Sequence, residues 1–250
     1  MGQESAESNY HLNERLRQAI SIGAVVLLLA GAIWGKQHGQ TLRTSPNPTT
    51  ETTQITTKNQ YPWHKQIFAT IFWVGESADQ SNAYISNTPS AWIENWTAAY
   101  GGVDNPDKRC GWEPCDFKPH ENAFYFALPF NDRVDGRSKP ETTLRKIPWY
   151  TGGKSPQVSW VKNRWIEVDK GNNKAYAQWE DVGPLNENDE SYVFGGAQPK
   201  FKKSGLDLSP ATSDYLKLDG HEQIDWRFID EADVPDGPWK TTTTKSPAQY

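Results

Sequence analysis

The chain has 250 residues, of which 36% are hydrophobic, enough to build a core in one or two domains, so wholesale disorder is excluded. Its 26 basic and 31 acidic residues leave a net charge of −5, which disfavours non-specific nucleic-acid binding, since that draws on dense Lys and Arg. Twelve Trp stand beside one Met and two Cys; a buried indole needs a partner for its N–H, so several rings are expected in a groove or at its rim.

In chain order, residues 1–18 form a polar amino end that contains Arg15 and Arg17. The apolar run AISIGAVVLLLAGAIW, Ala19 to Trp34, follows without a charge, and Ser21 is its one hydroxyl-bearing residue. No solvent face is available on a helix of this composition. At 16 residues it is a little short of the ~20 that span a bilayer. Residues 19–35 are therefore read as a transmembrane anchor or signal segment, with the amino end cytoplasmic by the positive-inside bias and the remainder extracytoplasmic. Ala30-Gly31-Ala32 has the small-x-small form of a cleavage site, so both an uncleaved anchor and a cleaved signal remain open. Residues 36–60 are rich in Thr, Pro, Asn and Gln and read as a flexible spacer. The Thr-rich end, 240–250, reads as a disordered tail.

The head, residues 61–239, carries 19 basic and 27 acidic side chains, a charge that suits a neutral or cationic partner and gives anionic lipid no foothold. Short apolar or alternating runs predict strands at Gln66–Val74, Ala123–Phe130, Trp165–Val168, Lys174–Trp179 and Ile224–Ile229. Asp169-Lys170-Gly171-Asn172-Asn173 reads as a tight hairpin turn between two of them, with Gly and Asn available for positive φ. Ser209-Pro210 predicts a helix start, with Ser as N-cap and Pro at the first helical position. A second, weaker helix is predicted within Ser90–Tyr100 from the spacing of Trp92, Trp96 and Ala99. Residues 76–121 and 131–159 read as long inserted loops.

The order of these features, WIEV, hairpin, KAYAQW, Glu180-Asp181-Val182-Gly183-Pro184, then a loop into Gly205-Leu206-Asp207-Leu208-Ser209-Pro210-Ala211, resembles the double-psi β-barrel family of rare lipoprotein A, a septal lytic transglycosylase, and its expansin and barwin relatives. The match covers Trp165 to Ile229. It implies a mainly β fold, a six-stranded double-psi β-barrel with long inserted loops and one or two short helices, preceded by the N-terminal transmembrane helix. The implied activity is cleavage of peptidoglycan or a related cell-wall polysaccharide outside the cytoplasm. Ala123-Phe124-Tyr125-Phe126-Ala127-Leu128-Pro129 resembles the family's "Ala-Ala-His-x-x-Leu-Pro" stretch, with Tyr125 standing where the family has its site His.

The resemblance selects Asp181 as the catalytic residue. A carboxyl group protonates a glycosidic oxygen near neutral pH only when a dry site raises its pKa. Strand alternation predicts that Asp181 and Glu180 point to opposite faces, with Trp179 on the Asp181 face. A lytic transglycosylase needs one such group as acid and then base; an inverting hydrolase needs a second carboxylate across the groove, for which Asp132 is the candidate and Glu121 stands behind it. Asp207 reads as a loop or helix-capping residue. For substrate binding, Tyr125, Trp179, Trp112 and Trp149 are the candidate rings.

Cys110 and Cys115 are expected to form a local disulfide in an oxidising compartment, against free thiols or a Cys-Cys-His site with His120. No metal and no cofactor is implied, and the expected partners are a cell-wall polysaccharide and, through the N-terminal helix, the membrane. Three readings compete: a membrane-tethered glycan-cleaving enzyme, a non-catalytic expansin-like wall-binding module, and a structural ectodomain that binds a partner protein.

Overall fold

The computed structural model describes residues 61–153 and 158–248. The proposed anchor or signal segment at 19–35 and the spacer at 36–60 lie outside them. Among the described residues no helix is long and apolar enough to cross a membrane.

In chain order the elements are β1 (His64–Ile71), α1 (Trp96–Tyr100), β2 (Arg109–Cys110), β3 (Glu113–Pro114), β4 (Tyr125–Leu128), β5 (Arg133–Val134), β6 (Arg137–Ser138), α2 (Glu141–Leu144), β7 (Trp165–Lys170), β8 (Asn173–Val182), α3 (Glu190–Val193), β9 (Leu206–Leu208), α4 (Pro210–Leu216) and β10 (Glu222–Ile229). Six of the strands close into a barrel in the order β1-β10-β7-β8-β4-β9. Four neighbouring pairs are antiparallel, while β4/β8 and β1/β9 are parallel. The fold is therefore mainly β with a mixed, closed six-stranded barrel, and closure leaves none of these strands an open edge.

Alternation explains the barrel interior. Trp226, Val168 and Ala175 lie abreast on β10, β7 and β8, and Phe228, Ile166 and Ala177 form the next row. All six are buried. A large ring on β10 faces a branched residue and then Ala, so the small residues of β8 make room for the indole and phenyl groups. Ala69, Leu206, Leu208 and Phe126 continue this apolar set around the barrel. Removing one of the large rings from such a core costs about 3–5 kcal/mol.

The tight turn at Gly171-Asn172 joins β7 to β8, and Gly171 takes a positive φ of 65°, as a two-residue hairpin requires. At α4, Ser209 Oγ accepts from Thr212 N at 3.2 Å and Pro210 stands at the first helical position, so the predicted cap forms. The weaker helical prediction yields only α1, whose N-cap Asn95 accepts from Ala98 N.

Residues 72–121 do not simply loop away. Trp92, Trp96 and Tyr100 are buried, and the rings of Trp96 and Tyr100 pack edge-on against Tyr125 at 5.5 and 5.9 Å. This insertion forms an aromatic layer on the outside of β4. It also absorbs indole N–H groups: Trp96 donates to Glu121 at 3.0 Å and Trp92 to Asn131 at 3.2 Å.

The carboxyl end is a correction to the sequence reading. Residues 240–248 are described, Thr244 is buried, and its backbone N–H donates to Gln178 Oε1 at 2.8 Å while its carbonyl accepts from Gln178 Nε2 at 3.1 Å. A Thr-rich composition has no apolar face to signal docking, but its backbone and hydroxyls are matched here by the amides of Asn122, Asn163 and Gln178.

Candidate functional site

The outward face of four neighbouring strands carries one row of residues. Thr70 on β1 pairs with Asp207 on β9, Asp207 pairs with Ala127 on β4, and Ala127 pairs with Asp181 on β8. Paired residues project to the same side of a sheet, so two carboxyl groups flank one methyl group. With two strand spacings of about 4.8 Å each between them, Asp207 and Asp181 are roughly 9.5 Å apart at the backbone.

A β-bulge puts Asp181 in this row. Phe126 pairs with Trp179, yet the next residue, Ala127, pairs with Asp181 rather than Glu180. The extra residue on β8 breaks the alternation, so Trp179 and Asp181 face opposite sides, against the sequence expectation. Trp179 is fully buried, stacked on Phe126 at 5.8 Å and on Phe228 at 6.0 Å. Its indole N–H donates to the Asp181 carbonyl at 2.8 Å, which ties the ring to the bulge. Glu180 is buried as well and pairs with buried Lys162 at 2.6 Å.

Asp181 is 7% exposed. Its Oδ1 accepts from the Ala91 N–H at 2.7 Å and the Val182 N–H at 2.8 Å. Burial pushes its carboxyl up to about 7, against the pull of these two donors, and the charges of Asp207 and Glu187 add to the rise. Asp207 is only partly covered. Thr70 Oγ1 donates to its Oδ1, and the Thr70 and Ser204 hydroxyls bond each other at 2.9 Å. Burial pushes Asp207 up to about 7 too; the Thr70 hydroxyl opposes this and the charge of Glu76 adds to it. Gly183 closes the floor: a Cβ there would stand 3.0 Å from Asp207 Oδ2 and 3.8 Å from the Ala127 Cβ.

Two carboxyls that titrate near neutrality can divide the work of acid and base at one pH. Asp207 is the residue that sequence reasoning placed in a capping or loop role. Leu206–Leu208 is a three-residue strand inside the motif, too short to show a period of two, and only its pairing with β1 and β4 brings Asp207 beside Asp181.

The other predicted residues lie elsewhere. Asp132 is buried and accepts from the Ser159 hydroxyl at 2.9 Å and the Trp160 N–H at 2.5 Å, so both oxygens anchor the Ser159–Trp160 turn. Glu121 accepts from Trp96 and, at 2.7 Å, from Ser246. Tyr125 is fully buried; its hydroxyl accepts from the Val74 N–H at 3.0 Å and donates to Asp104 at 2.9 Å. Buried in this way, Tyr125 and Trp179 present no ring face to a ligand.

Trp149 is half-buried, donates to the Trp160 carbonyl at 2.6 Å and lies under the Arg164 guanidinium. Trp112 is 38% exposed and lines a cavity of about 290 Å³ with Phe124 and Thr241. Cys110 and Cys115 are joined in a disulfide, which leaves no thiolate for a site with His120. Among the described residues no group of three or more His, Cys, Asp or Glu side chains is placed to hold a metal ion.

No protein-family model and no curated protein matches this chain.

Proposed function

We propose that the chain is an extracytoplasmic, cell-wall glycan-active protein of the double-psi β-barrel type, cleaving peptidoglycan or a related polysaccharide by a lytic transglycosylase-like reaction. The closed six-stranded mixed barrel is compatible with that type. The observation that carries the reading is the row in which Asp207 and Asp181 flank Ala127, both held near neutral pKa. In this scheme a protonated carboxyl gives its proton to the glycosidic oxygen as the C–O bond breaks. A carboxylate then takes the proton of a hydroxyl on the same sugar as that oxygen closes on the anomeric carbon. Asp181 serves as acid and base, and Asp207, the more open of the two, stabilises the positive charge that develops on the ring. The N-terminal apolar segment and spacer would hold the head outside the membrane, within reach of the wall.

A second reading, a non-catalytic expansin-like binding module, draws on Tyr125 occupying the family's His position with its hydroxyl spent between Val74 and Asp104. One experiment separates the two. Full-length wild type, Asp181→Asn and Asp207→Asn are incubated with isolated peptidoglycan, and anhydro-sugar ends are counted. Release by wild type with a loss of at least about 100-fold in Asp181→Asn is expected; equal release from both refutes the catalytic reading. Binding by wild type without release selects the module.

A further inference from the structure

Phe68 is out of place by the rules that order the rest of β1. Beyond an irregularity between His64 and Ile67, the strand buries Ile67 and Ala69 in the barrel and turns the alternate residues outward, where Gln66 and Thr70 are polar. Phe68, on that outward side, is 36% exposed. Its ring stacks on His221, with centroids 4.5 Å apart and planes 21° from parallel. His221 is itself exposed, and its Nε2–H donates to the Lys203 carbonyl, which fixes the imidazole. The two rings therefore form a face-to-face stack on the surface of the barrel, in which the imidazole braces one face of the Phe68 ring and only the other is left for a ligand.

The stack adjoins the carboxyl row. Phe68 and Thr70 are two residues apart on one face of β1, roughly 6.6–6.8 Å by strand rise, and Thr70 holds Asp207. One loop braces both positions: the Ser204 hydroxyl donates to the Phe68 carbonyl at 3.2 Å and bonds the Thr70 hydroxyl, and the Gly205 N–H donates to the Phe68 carbonyl at 2.9 Å. An exposed ring contributes little to folding, whereas a flat apolar ring beside polar neighbours matches the C–H face of a pyranose and its hydroxyl rim. On the Asp181 side the row is roofed by the Ala91 backbone, so a polymer chain leaves it over β1, across Phe68.

We infer that the Phe68–His221 stack is a sugar-binding platform, a subsite for one ring of a β-1,4-linked N-acetylhexosamine strand next to the bond cleaved at the Asp181–Asp207 row. The inference rests on the glycan reading above and adds a subsite to it. The full chain, with Phe68→Ala, Phe68→Trp and Asp207→Asn, is titrated with chitotetraose and with peptide-free peptidoglycan glycan strands, and release of anhydro ends is measured in parallel. Phe68→Ala is expected to weaken binding about tenfold, the loss of one aromatic anchor. Phe68→Trp should retain wild-type affinity, and Asp207→Asn should bind normally while losing release.

Unchanged affinity in Phe68→Ala overturns the platform, and if Asp207→Asn has then lost release the cleavage reading still stands. Wild type that binds neither glycan also overturns the platform. Weaker binding in Phe68→Ala with undiminished release from Asp207→Asn keeps the platform and removes Asp207 from the chemistry. Phe68 is on the surface, and an unchanged near-ultraviolet circular dichroism spectrum separates lost binding from lost fold.

Discussion

Thr70→Val tests the electrostatics of the row with a change of almost no volume. The Thr70 hydroxyl donates to Asp207 Oδ1 and thereby favours the charged carboxylate. A hydrogen bond to a charged group contributes about 1.5–3 kcal/mol, and one pKa unit corresponds to about 1.4 kcal/mol. Thr70 is only half-buried, so the low end applies, and the Asp207 pKa is expected to rise by roughly one unit from its value of about 7. The Ser204 hydroxyl also holds the Asp207 pKa down, less strongly than Thr70, and Thr70→Val leaves that contribution in place. The assay is a carbon-13 NMR titration of the labelled Asp carboxyls, read beside the pH profile of glycan release. Thr70→Ser, which keeps the hydroxyl, should titrate as wild type. An Asp207 pKa that stays put or falls in Thr70→Val would refute the assignment of Thr70 as its donor.

Two further outcomes follow from the same geometry. Asp132→Asn should lower stability by about 1–3 kcal/mol, because two donors at the Ser159–Trp160 turn lose a charged acceptor; urea unfolding measures this, and release of glycan ends should be unaffected in the folded protein. The pH dependence of stability should slope downward through mid-range. Asp181 has a folded pKa raised to about 7 against about 3.9 unfolded, so between these values the native state holds the extra proton and stability falls as pH rises. Melting temperatures of Asp181→Asn and wild type compared at pH 4 and pH 8 should show the variant gaining on wild type at the higher pH, and a gain at the lower pH would contradict a raised pKa.

The fold was legible where side chains repeat with the period of their element. The runs Trp165–Val168 and Lys174–Trp179, with Gly and Asn between them, form the β7–β8 hairpin, whose strands reach further into the expected turn, to Lys170 and from Asn173. The Ser209-Pro210 start of α4 is a local signal, set by a cap and a fixed φ. What escaped depends on tertiary pairing. β9 has three residues, and nothing in Leu206-Asp207-Leu208 alone distinguishes a strand from a loop entering a helix. The bulge at Glu180 leaves no mark in the sequence either, since QWEDV alternates correctly until the partner strand shows that one residue is extra. Trp179 and Asp181 were therefore expected on one face and lie on two. Of the Trp rings, a few are expected in the groove and the rest in the core; Trp92, Trp96, Trp165 and Trp226 are buried, and so is Trp179, one of the rings expected in the groove.

Burial of those indoles also explains how Tyr125 fits. A His at this outward position would need access to a ligand to act as an acid or base. Here Trp96, Tyr100 and Phe72 enclose the ring, and the Tyr125 hydroxyl joins the insertion to the barrel by bonding Asp104, which in turn pairs with Arg109 beside the disulfide hairpin. The same insertion supplies the Ala91 N–H that holds Asp181. One segment thus closes the surface at Tyr125 and positions the carboxyl two residues further along the row's axis, at the Ala127 level. The row is therefore covered at Asp181 and more open at Asp207, so a glycan that reaches Asp181 in the proposed reaction has to enter over Asp207, beside the Phe68 ring.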